Sequence, residues 1–129
     1  MTRKEEEQRL LKRSGDFFET AKYQTTQGFF DLATFSLEQS LELFLKAKML
    51  ANGVDYPRTH SLRKLLETLV KLVSEDKKEV VEGVLEKYLL ELGMLEDAYI
   101  TSRYVMREFT KKEVERLTSA ATEIMRIVP

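Results

Sequence analysis

Between Phe29 and Leu50 the chain carries apolar side chains at positions 29, 30, 32, 33, 35, 37, 41, 43, 44, 45, 49 and 50. Plotted at 100° per residue they cover most of a helix circumference. A helix that is apolar nearly all round belongs at the centre of a bundle, with other helices around it. The segment stops at Asn52-Gly53, the residue types that end helices. One such segment in a chain of 129 residues predicts a single domain over residues 1–129, too short for two cores.

The flanking segments supply the surrounding helices. Leu10, Phe17, Phe18 and Ala21 recur at helical spacing and predict a first helix from Arg3 to Gln24, with Glu5, Glu6 and Glu7 near its positive end. Gly28 marks the turn into the second helix, Gly28 to Ala51. Pro57 forbids helix between Val54 and Thr59, and a short helix follows from His60 to Val73. Ser74 then caps a long helix with a seam of Val81, Val84, Leu85, Tyr88, Leu89, Leu92, Leu95 and Tyr99, with Gly93 as the place to kink. Thr110-Lys-Lys-Glu113 fits a capping box and opens a last helix, whose inward stripe is Val114, Leu117, Ala121, Ile124 and Val128. No strand-like alternation or long repeat competes with this reading. The expected fold is all-α, an up-and-down bundle of four to five antiparallel helices.

Composition excludes several functions. With no cysteine, disulfides, thiolate metal sites and cysteine nucleophiles are absent, and one histidine, His60, is too few for a histidine-rich metal site. No metal and no cofactor are expected. A net charge of −1 gives no overall field to draw in nucleic acid. The basic stretch Arg103, Arg107, Lys111, Lys112 and Arg116 is diluted by Glu108, Glu113 and Glu115, which reads as a solvated face. No apolar run is long enough to cross a bilayer, and the first residues carry no hydrophobic signal region, so a cytoplasmic location without membrane attachment is expected. Phosphate-binding glycine loops, GxSxG elbows and HExxH motifs are missing, and no catalytic residue is assigned.

Three clusters remain as candidates. Gln39, Glu42 and Lys46 lie within about 60° of one another around the second helix, with Phe35 on the same stripe. Burying Glu and Lys is costly unless they are paired, so the stripe either faces solvent as an i,i+4 ion pair or lines a polar cleft. Pro57-Arg-Thr-His60-Ser-Leu62 places a histidine at the start of the short helix, where free N–H groups suit an anion and Thr59 or Ser61 can cap. Tyr99 and Arg103 share a face near the end of the long helix, where an aromatic ring beside a guanidinium suits a base and a phosphate.

These segments resemble one family. Gln39-Ser-Leu-Glu42-Leu-Phe-Leu45-Lys46-Ala47 is similar to the Q-x-x-E-x-x-L-K-A pattern of HEPN domains, the higher eukaryotes and prokaryotes nucleotide-binding family. Pro57 to Leu62 resembles its P-x-T-H-D/S-L turn, and Tyr99 to Tyr104 its Y-x-x-x-R-Y-P segment, with Val105 in place of the proline. The resemblance spans essentially the whole chain. It implies a helical bundle, often homodimeric, that often forms a complex with a small nucleotidyltransferase. Some relatives are toxins that cut RNA, and these carry an Arg followed by His after four to six residues. Here the matching positions are Gly53, Val54 and Asp55, none of them basic, which argues against that activity. The expected ligand-binding set is Glu42, Lys46, His60, Arg103 and Tyr104, with Lys46 and Arg103 on phosphate, Tyr104 on a base, and His60 and Glu42 hydrogen-bonding polar groups. Two alternatives stand beside a nucleotide-binding module: a homodimerisation protein without ligand, using Phe29, Phe30 and Phe35, and an RNA-cleaving toxin using His60 with Arg58 or Arg103.

Overall fold

The computed structural model describes residues 1–104 and 107–129, apart from the side chains of residues 101–104. Among the described residues there are six helices and no strand: α1 Arg3–Thr26, α2 Phe30–Ala51, α3 Leu62–Leu72, α4 Glu75–Lys87, α5 Leu89–Tyr104 and α6 Lys111–Ile127. No described helix is long and apolar enough to cross a membrane.

α2 is the hub. It packs on α1, α3, α5 and α6, and 14 of its 22 residues are buried. Leu37, Leu41 and Leu45 are fully enclosed, each burial stabilising the fold by about 1.5–3 kcal/mol. Both ends of α2 are set by glycines in the left-handed region, Gly28 at φ 79° and Gly53 at φ 85°. Each closes the preceding helix with paired bonds: Phe29 N–H to the Gln24 carbonyl (2.9 Å) and Gly28 N–H to Thr25 (3.1 Å), then Val54 N–H to Met49 (3.3 Å) and Gly53 N–H to Leu50 (3.0 Å). A side chain at either position would strain the turn.

α1 lies along α2, and two serines join them. Ser14 Oγ donates to the Ser40 carbonyl (2.6 Å) while Ser40 Oγ donates to the Ser14 carbonyl (2.7 Å). Both are buried, and such short side chains let the two backbones come close.

The sequence predicts one helix from Ser74 to beyond Tyr99, and the structure has two. The break falls at Tyr88, at φ −110° and ψ 24°, rather than at Gly93, which lies inside α5. It lets α4 pack on α3 while α5 packs on α2. The seam shifts at the break: Val81, Val84, Leu92 and Leu95 are buried, but Leu89 is exposed. The α6 stripe is as read from sequence, with all five residues buried, and both halves of the Thr110–Glu113 capping box are formed.

Candidate functional site

Three charged residues of α2 form one ladder, Glu38, Glu42 and Lys46, at i, i+4 and i+8. They do not face solvent: Glu38 is 0%, Glu42 3% and Lys46 8% exposed. The cover is the segment between α2 and α3, which Pro57 keeps out of helix. Its Tyr56 ring sits 5.3 Å from Lys46 Nζ, and the Tyr56 hydroxyl donates to Glu6 Oε1 of α1 at 3.1 Å. Beyond the proline, Thr59 N–H bonds the Pro57 carbonyl at 2.9 Å and Ser61 N–H bonds Thr59 Oγ1 at 3.1 Å. These two local turns aim His60 back at α2.

Glu42 is the centre of the site, and both its oxygens are engaged. Oε2 accepts from Lys46 Nζ at 3.0 Å, and Oε1 lies 3.0 Å from His60 Nδ1. A buried carboxylate at that distance accepts from a protonated Nδ1. The Tyr99 hydroxyl of α5 lies 2.9 Å from Nε2. The Tyr99 and His60 rings stack, 4.0 Å between centroids with planes 20° apart, and Phe35 lies 6.2 Å beyond Tyr99 at 25°. His60 keeps 52% of its side chain exposed, so it forms the mouth of the cluster.

Glu38 lies inside. Gln39 Nε2 donates to its Oε1 at 2.7 Å, while Oε2 is buried without a hydrogen-bond partner. Burial first, and the neighbouring Glu42 carboxylate second, push the Glu38 pKa up to about 9, so it holds its proton at neutral pH. The ladder therefore contains one neutral acid and one ion pair, an arrangement consistent with its burial.

The anion site expected at the start of the short helix is filled from within the chain. α3 begins at Leu62 with Ser61 as N-cap, so His60 stands before the helix and not in its first turn. Glu96 of α5 occupies the helix entrance: its Oε2 accepts from Arg63 N–H (3.1 Å) and Nε (2.9 Å), and its Oε1 from Nη2 (3.1 Å).

Of the five expected ligand residues, Glu42, Lys46 and His60 meet in one cluster. Lys46 offers no open cation, because its ammonium is shielded and bonded to Glu42. Arg103 and Tyr104 stand on the last turn of α5, and their side chains lie outside the described residues. Glu38 and Tyr56 belong to the cluster and were not expected. The sequence signal for Glu38 was present: a second glutamate one turn before Glu42 on the central helix. In the basic stretch, Lys111 pairs with Glu115 in solvent, whereas the half-buried Arg107 bonds Glu113 and Arg116 reaches the buried Glu91, so only part of the stretch is a solvated face.

An all-α bundle whose central helix buries a Glu–Lys pair against a histidine from the following loop defines a helical module with a polar site on its central helix. Residues 7–129 match the HEPN domain, and the chain belongs to that family. Its fold is similar to the crystal structure of TT1696 from Thermus thermophilus, at TM-score 0.72 and 23% identity, covering 95% of this chain and 94% of that one. No curated protein matches the sequence.

Proposed function

We propose that this chain is a nucleotide-binding helical module that works as the partner of a small nucleotidyltransferase. Family membership supports a helical-partner role. The observation that carries the reading is the Lys46–Glu42–His60–Tyr99 chain of contacts. It joins α2, the loop before α3 and α5 at one point and leaves His60 accessible. Within this reading Glu42 and Lys46 hold His60 in place and do not themselves touch phosphate. Arg103 and Tyr104, on the next turn of α5, complete the ligand contacts.

Calorimetric titration of ATP and GTP into the wild type and Arg103→Ala tests it. Saturable heat that weakens in the variant is the expected result; no heat at millimolar nucleotide removes a free-nucleotide site. Co-expression with a small nucleotidyltransferase tests the partnership, and separate elution of the two proteins would count against it.

A second reading, a homodimer, draws on exposed apolar side chains near the start of α2, Phe29 at 53% and Leu32 at 55%. Light scattering decides it, a clean monomer removing the idea.

A further inference from the structure

Phe35, Tyr99 and His60 form a short pile of nearly parallel rings that starts at α2, crosses α5 and ends at the surface. Inner rings of such a pile have a neighbour on each side. His60 has Tyr99 on one side, Glu42 at its Nδ1 edge, and half its side chain in solvent. Among the described residues, no ring stacks on the outer face of the imidazole, which leaves it as a candidate stacking surface. It is also a rigid one, because the Glu42 bond and the Tyr99 stack fix the ring before any ligand arrives, which lowers the ordering cost of binding.

The ion-paired states of Lys46 and Arg63 favour a flat, neutral group over a phosphate at this face. Lys46 is shielded and bonded to Glu42, and Arg63 is bonded to Glu96. Glu42 adds negative charge at the Nδ1 edge of the ring. A phosphate placed against His60 would meet no open cation from these residues, whereas a purine gains from stacking alone. The apolar side chain of Ile100, next to Tyr99 and 54% exposed, adds to the apolar character of this end of α5.

We infer that the outer face of His60 is a nucleobase platform, so that the site recognises the base of its nucleotide first. The inference rests on the nucleotide-binding reading above and specifies which part of the ligand the described site holds.

His60 is the sole histidine, so its ring protons give isolated signals in a proton NMR spectrum. Adenosine, ATP and inorganic tripolyphosphate are titrated separately at fixed pH. The expected result is a saturable upfield shift of the His60 ring protons with adenosine and with ATP, and none with tripolyphosphate. His60→Ala weakens adenosine binding by about tenfold or more, as loss of one base-stacking ring does. His60→Phe keeps a ring without the Glu42 bond and holds affinity within about threefold. Thermal melts of both variants confirm folding, and His60→Phe serves if His60→Ala is unfolded.

Tripolyphosphate and ATP binding while adenosine does not would overturn the base platform and leave the nucleotide reading standing. Failure of all three ligands would remove both. Signals that broaden with protein concentration and ignore adenosine would show the ring packed against a second copy of the chain, which also overturns the inference.

Discussion

α2 and α4 each carry a Glu–Lys pair of nearly equal length, and the two pairs have opposite meanings. Glu42–Lys46 spans 3.0 Å with side chains 4% and 10% exposed. Glu75–Lys78 spans 2.9 Å with side chains 89% and 34% exposed. In α4 water competes for both ends, and separating the pair costs little. In α2 neither charge has water to fall back on, so each depends on the other. Distance does not distinguish the pairs; surroundings do. The helices differ in the same way overall, since α4 buries only Val81 and Val84.

The sharpest way to break the contrast is Glu42→Ala. It strands Lys46 and removes the partner of His60, and the expected loss is about 3–5 kcal/mol of stability. In a thermal melt that is a fall of more than about 10 °C; a change of only a degree or two would mean that the α2 pair behaves like a surface pair.

Next comes Glu38. Its pKa in the fold is about 9, against 4.5 for an unperturbed glutamate. Between those values the folded state holds a proton that the unfolded state has released, so raising the pH favours unfolding. The contribution of Glu38 is fully present below about pH 4.5, declines through neutrality and is gone above about pH 9, on the order of a few kcal/mol in all. Glu38→Gln stays neutral throughout. Denaturant melts across this range are expected to show a flatter pH profile for the variant and a stability gain over the wild type that grows with pH. Parallel profiles would sink this account.

A smaller effect is expected from Glu96→Ala, which opens the entrance of α3 and frees Arg63; about 1 kcal/mol is expected by urea titration. Smallest is Glu75→Ala in α4, below about 0.5 kcal/mol by the same measurement. A loss from Glu75→Ala rivalling that from Glu42→Ala would erase the distinction between the helices.

Much of this was legible in the residues, and the rest has physical reasons for being hidden. The place of α2 followed from its apolar circumference, and the start of α6 from Thr110 and Glu113, because both signals are local. The break at Tyr88 carries no glycine or proline; it arises where α4 must follow α3 and α5 must follow α2, a demand of packing that a stripe of leucines does not encode. Spacing placed Glu42 and Lys46 on one stripe but left two environments open. Only the fold of residues 52–61 over α2 chose between them. Spacing alone does not show Glu38 as a member of the site, because its protonated state depends on complete burial. The anion site before α3 misled for a similar reason: its natural occupant, Glu96, lies far along the chain.

The reciprocal serine bonds between α1 and α2 have one more consequence. Glu38 and Glu42 are one helical turn apart, about 6 Å along the axis, so a slide of α2 by that amount would present the wrong glutamate to His60. Ser14 and Ser40 act as a detent against that slide, because each hydroxyl reaches its carbonyl only at a single alignment. Two of the smallest polar side chains in the bundle thereby select which acid meets the imidazole.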